Sequence, residues 1–244
     1  MNSFKKTLLA TAVLAAATTT GVAHAEVTAN IGVTSDYVWR GVSQSGESAS
    51  VSGGIDYADD SGFYAGTWVG SLSGGSELDL YFGYSGEAES IGYDFGYIYY
   101  VYPSSDPGIN FGEIYGSVSA SVFTAGLAIT TNNDGANDGA GFESGDLYYY
   151  INASGNLSDT WTIGFTIGAY TFDSDGSDIL NEAEMVIGEL DLDYIHYSLD
   201  FGTSTDVGDF TFSLTASDLD EDNATFFSTG NSDPRAVVSW GKSF

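Results

Sequence analysis

Residues 91–102 read IGYDFGYIYYVY, and this stretch decides the fold. Ile91, Tyr93, Phe95, Tyr97, Tyr99 and Val101 fall on one face, with Gly92, Asp94 and Gly96 on the other. A period of two is the strand signature, because successive side chains project to opposite sides of a sheet. Residues 160–170 repeat it: Trp161, Ile163, Phe165, Ile167 and Ala169 alternate with Thr160, Thr162, Gly164, Thr166 and Gly168.

Outward from these two segments, the chain reads as alternating runs separated by clusters of Gly, Asp, Asn and Ser, with no convincing helix. About twelve strands are expected, at 28–41, 48–57, 62–71, 76–85, 91–102, 110–119, 121–131, 146–154, 160–170, 192–202, 209–217 and 234–244. Several have the ~9–11 residues of a tilted membrane strand. Pro103, Pro107 and Pro234 fall in loops or at a strand start, where a missing N–H is tolerated. The connections sort by length. Those after strands two, four, six, eight and ten are tight, whereas 132–145, 171–191 and 218–233 are long. Short turns on one rim and long loops on the other mark an outer-membrane barrel, and an even strand count puts both ends of its wall on the short-turn, periplasmic side.

The first residues agree. Lys5 and Lys6, an apolar run from Leu8 to Ala17 and the small-x-small triplet Ala23-His24-Ala25 have the layout of a signal peptide cleaved after Ala25. The apolar run is too short to span ~30 Å of hydrocarbon as a helix. No later run nears the ~18 residues of a membrane helix, so a membrane form must be a closed barrel. The expected organisation is a signal at 1–25 and a single barrel domain over 26–244.

The chain has 5 basic and 34 acidic residues; every acidic residue lies after Ala25, alongside only Arg40, Arg235 and Lys242. Such a charge balance repels nucleic acid and gathers cations. A disordered acidic chain is excluded by 17 Tyr, 15 Phe and 4 Trp. With no cysteine, stability must come from burial and the sheet's own hydrogen bonds.

Alternation alone does not say which face is buried, since a soluble lipocalin-like barrel or a periplasmic sandwich also alternates. Three features favour the inverted barrel. The polar faces are Gly, Ser, Thr and Asn rather than the mixed charges of a wetted wall. The acids concentrate in the long loops, as at Asp173, Asp175, Asp178, Glu182 and Glu184. The chain also closes on Phe244, with Trp240, Val238 and Ala236 on its face; Lys242 interrupts that face and is expected to snorkel to the rim. Tyr37, Trp39, Tyr57 and Phe63 near strand ends suit a membrane interface.

The stretches VTSDYVWRGVSQS (33–45), GGIDYADDSGFYAGTW (53–68), ELDLYFGYSG (77–86), GYDFGYIYYVYP (92–103) and NFGEIYGSVS (110–119) together resemble the TorF family of small proteobacterial outer-membrane porins. The resemblance covers about 33–119; the later half agrees only in character. It implies an outer-membrane barrel with a pore function.

With the apolar face toward lipid, the charges within strands must point inward, since a basic residue at the midplane of the lipid face costs ~2–4 kcal/mol. The expected pore lining is Asp36, Arg40, Asp56, Glu77, Asp79, Asp94 and Glu113. Strand direction puts Arg40, Glu77, Asp79 and Glu113 near the outer mouth, with Asp56 and Asp94 nearer the periplasm. Arg40 opposing a carboxylate cluster would bias passage toward cations, as rings of charge do. The same residues could instead form a salt-bridge network that plugs the lumen, because twelve strands lie between filled eight-strand barrels and open channels of sixteen. Inward glycines are expected to widen the bore.

Catalysis is not expected. His196, Ser198 and Asp200 share a face, but strand neighbours two apart are ~6.6 Å along the chain, too far for a direct relay. DSDGSD (173–178) and NNDGANDGAG (132–141) resemble calcium loops, yet Asp178 replaces the glycine required at the sixth position of the first. They read as acidic solvated loops. No cofactor, metal site or chemistry is expected. The partners expected are outer-membrane lipid and lipopolysaccharide, and small hydrophilic solutes or ions in passive diffusion. A closed structural or surface-interaction barrel with cation-binding acidic loops is the other reading.

Overall fold

The computed structural model describes residues 26–104, 109–134, 142–176, 178–180, 186–189, 191–219 and 233–244. The expected signal peptide lies outside the described residues, as do 135–141 of the second acidic motif and Glu182 and Glu184 of the long loop.

Twelve strands close into one antiparallel barrel in sequence order. They are β1 (Glu26–Thr34), β2 (Ser50–Ala58), β3 (Phe63–Leu72), β4 (Gly75–Ala88), β5 (Ile91–Val101) and β6 (Phe111–Ala120). The second half holds β7 (Phe123–Asn133), β8 (Leu147–Asn156), β9 (Trp161–Thr171), β10 (Tyr194–Thr205), β11 (Gly208–Ser217) and β12 (Arg235–Ser243). The barrel closes where β1 meets β12, with Gly32 opposite Gly241 and Thr34 opposite Ser239. Phe244 clips the seam by exchanging backbone hydrogen bonds with Ala29 at 2.9 and 3.3 Å. Closure leaves no unpaired strand edge, the condition for crossing hydrocarbon with strands.

The face pattern is inverted relative to a soluble barrel. Leu80, Phe82, Phe95, Ile114, Leu127, Ile151 and Phe165 are exposed on the outside. Their sequence neighbours Asp79, Tyr81, Glu113 and Ala128 are buried within. In β5, Ile91, Tyr93, Phe95, Tyr97 and Tyr99 face out, as the period-two reading requires. Short turns (59–62, 89–90, 121–122, 157–160, 206–207) sit on one rim with both ends of the wall. Lys242 reaches down to that rim, where its ammonium donates to the Asp206 carbonyl at 3.4 Å.

Three expectations need correction. The first strand does not run to 41; it ends at Thr34, and 35–49 form a loop, L1, that folds into the lumen. Its tip is a miniature hairpin pairing Val38–Trp39 with Val42–Ser43. Arg40 (φ 47°) and Gly41 (φ 85°) make the two-residue turn, the positive-φ pair of a type I′ hairpin. A Cβ on Gly41 would strike His196, so only glycine fits there. Tyr37 and Trp39 are therefore not interface aromatics: Tyr37 is buried in the lumen and Trp39 packs on the internal cluster. Tyr57 and Phe63 do stand outside, 6.3 Å apart near the short-turn rim.

Four of the inward glycines do not widen the bore. A Cβ on Gly66, Gly83, Gly96 or Gly126 would strike the ring of Tyr81, Tyr64, Tyr115 or Tyr150 respectively. Each tyrosine is the glycine's register partner on the next strand. The glycines are sockets for inward tyrosines, so the volume they vacate is filled.

Candidate functional site

The lumen is a candidate conduit, and L1 divides it. On one side the hairpin buries Arg40 against strands β5–β10. The Arg40 guanidinium grips Glu113 on β6 in a two-pronged ion pair, 2.7 Å on each prong. Tyr100 and Tyr170 also donate to Glu113, at 3.2 Å each. Four donors thus satisfy a carboxylate with no solvent exposure, the requirement for keeping a charge buried. The guanidinium carbon also sits over the rings of Trp39 and Tyr148, 4.2 and 4.1 Å from their centroids. Trp39 further meets Phe142 edge-on, with ring centroids 5.4 Å apart. Phe111, Tyr170, Phe172 and Tyr194 complete a buried aromatic cluster.

The other expected lining residues fall into two belts. In the long-loop half, Glu77 accepts from the Tyr37 hydroxyl at 2.7 Å. Asp79, almost fully buried beside it, has one oxygen with no hydrogen-bond partner among the described residues. Asp36 lies in L1 rather than in a strand; Ser43 and Ser45 donate to it at 2.6 and 2.9 Å. Arg235 on β12 donates to its other oxygen at 3.2 Å. In the short-turn half, Asp56 accepts from Asn30 at 3.0 Å and from Tyr81. Asp94 accepts from Tyr64 at 2.6 Å. The structure thus brings Arg40 to Glu113, keeps Glu77 and Asp79 near them, and puts Asp56 and Asp94 in a separate tier.

Sequence reasoning missed Arg235, Trp68 and the inward tyrosines. Arg235 sits on the polar face of the last strand, a signal that was there to read. The tyrosines were signalled by runs such as Tyr148-Tyr149-Tyr150, where alternation sends two of three rings inward.

Among the described residues, two cavities lie on the opposite side of L1. One, about 260 Å³, lies between L1 and a wall of short hydroxyl side chains that includes Ser198, Ser213 and Thr215, with Asp200 among them. The second, about 330 Å³, continues toward the short-turn rim past Asn30, Asp56 and Tyr81 to Glu26.

The His196–Ser198–Asp200 row does not form a relay. The His196 ring meets the Tyr148 hydroxyl at 3.0 Å, while Ser198 donates to Asp200 at 2.8 Å. That short bond corrects the expectation that residues two apart are out of reach, because the side chains lean along the strand. The base and the hydroxyl nonetheless have different partners.

At the long-loop rim, Asp146 accepts from the backbone N–H groups of Glu143 and Asp173 at 2.7 and 2.8 Å, tying two loops together. Burial pushes its carboxyl up to about 6. Asp134 is held below the usual carboxylate range by donors from Tyr99 and Asn110. On the other rim, Ser61 lowers Asp59 in the same way. Among the described residues, no group of three His, Cys, Asp or Glu has metal-holding geometry.

Closed sheet, outward apolar belt and charged lumen define the class: an inverted β-barrel with the architecture of outer-membrane porins. The chain belongs to the Gcw_chp family, bacterial proteins of unknown function, whose model matches residues 17–237. Solved structures share the fold, two of the KdgM porin among them. The KdgM porin is 10% identical with a TM-score of 0.54, covering 89% of this chain and 98% of that one. A KdgM porin in complex with disordered oligogalacturonate is 9% identical with a TM-score of 0.52, covering 89% and 97%. No curated protein matches the chain in sequence.

Proposed function

We propose that this barrel is a passive channel of the outer membrane for small hydrophilic solutes or ions, biased toward cations. The observation that carries the reading is the sign of the lumen. Asp36, Asp56, Glu77, Asp79, Asp94, Glu113 and Asp200 line or flank it, against Arg40, Arg235 and, at the short-turn rim, Lys242. Both arginines are already committed to carboxylates at 2.7 and 3.2 Å. An anion entering the lumen meets no uncompensated arginine, whereas a cation meets surplus carboxylate oxygen. The KdgM porin holding an oligogalacturonate, an acidic sugar, shares the architecture, but this lumen has the charge to exclude such a ligand. The resemblance of residues 33–119 to TorF porins supports the same assignment. The partners of this reading are outer-membrane lipid and lipopolysaccharide around the belt and ions or small solutes within. It needs no cofactor and no chemistry.

The test is the reversal potential of the purified barrel in a planar bilayer under a salt gradient. Cation preference is expected, weakening at high salt as counter-ions screen the lumen carboxylates. Anion preference would reject the bias. A second reading, a closed structural barrel, is favoured by the Arg40–Glu113 plug; folded protein that passes no current would establish it.

A further inference from the structure

We propose that solute crosses this barrel along one wall only, the side formed by β10, β11, β12, β1 and β2, and that Trp68 on β3 sets the width of that path. The inference rests on the channel reading above.

The upper half of the lumen is asymmetric. Toward β5–β9 it is filled by Trp39, Tyr100, Phe111, Phe142 and Tyr170, locked around the Arg40–Glu113 pair. Toward the seam, the inner wall is built of short side chains such as Ser52, Ser198, Ser213 and Thr215, and here the 260 Å³ cavity opens. The 330 Å³ cavity lies below it and runs out among Glu26, Ala58 and Ser243 at the short-turn rim. The two have three lining residues in common: Gly32, Ser52 and Trp68.

Gly32 and Ser52 face each other across β1 and β2 and project almost nothing into the lumen. Trp68 is the one bulky side chain of the three. Its ring leans over Gly70, where a Cβ would collide with it. It is braced from above by Tyr37 of L1, with ring centroids 5.3 Å apart. The indole is thus a wedge set between the two cavities, and the loop that plugs one side of the barrel also holds that wedge in place. Trp68 is a specificity-determining residue: it limits the cross-section of what passes, while the carboxylates set the sign.

Two arms test this in planar bilayers. Trp68→Ala removes the wedge and should raise single-channel conductance about twofold, the cation preference staying as it was. The chain has no cysteine, so Ser52→Cys offers one thiol at the junction. A trimethylammonium-bearing thiol reagent, its attachment confirmed by mass, should cut that variant's current several-fold and leave the wild type untouched. The Ser52→Cys arm decides alone if Trp68→Ala does not fold. Wild-type conductance in both the Trp68→Ala and the labelled Ser52→Cys barrels would overturn the proposal while leaving the channel intact. Absence of current from all folded barrels would instead overturn the channel reading.

Discussion

Arg40 shows how a single residue can organise the inside of a barrel. Its turn geometry is set by a positive φ shared with Gly41, and its charge by a carboxylate that is wholly buried. Buried ion pairs rarely stabilise more than a well-packed apolar pair, but breaking one leaves a charge without a partner. Arg40→Ala strands Glu113 among aromatic rings and should cost about 3–5 kcal/mol. Adding Glu113→Gln should recover most of that loss, because the stranded charge is gone. Urea unfolding in lipid vesicles checks both. A single substitution within experimental error of the wild type would show that water already reaches Glu113.

Among the elements, L1 and the loops leading into β8 and out of β9 do the internal fastening. Asp146 stitches the latter two together through backbone donors at Glu143 and Asp173. Its acid is raised to about 6 by burial, above the ordinary ~3.9 of an unfolded aspartate. The fold therefore favours the protonated form. The corresponding stability is fully present below about pH 4 and is lost as pH rises through about 6. Urea midpoints from pH 4 to 7 should include a falling contribution that Asp146→Asn abolishes. An identical pH profile in the variant would show that this carboxyl is solvated. Asp134 has the opposite sign, since its donors hold the acid down and stabilise only while it is ionised.

For the whole molecule, the determining quantity is which face meets hydrocarbon. Leu127 stands outward near the middle of β7. Leu127→Arg should destabilise the vesicle-folded barrel by about 2–4 kcal/mol, the cost of a basic side chain at the bilayer midplane. A soluble barrel would tolerate the same exposed arginine with little change. Equal unfolding midpoints for wild type and Leu127→Arg would therefore remove the membrane assignment. The acidic excess belongs to this scale as well: concentrated in the lumen and along the long-loop rim, it acts on what approaches the barrel rather than on the strand pattern.

Alternation along IGYDFGYIYYVY and its counterparts was sufficient for strand number, strand direction, the inverted faces and the sorting of short turns from long loops. These are local properties, since a side chain's face follows from its parity and a turn from its residue types. The inward placement of Glu77, Asp79, Asp94 and Glu113 was legible for the same reason. The fate of residues 35–49 was not. Val38-Trp39-Arg40-Gly41-Val42 carries alternation compatible with a longer first strand and also with a two-residue hairpin. The choice falls to Glu113, Tyr148 and His196, which lie 73 or more positions away. Gly66, Gly83, Gly96 and Gly126 likewise look like empty space until the register sets a tyrosine ring opposite each one. Parity is written in the chain, whereas what fills the lumen depends on which distant side chains closure of the barrel brings face to face.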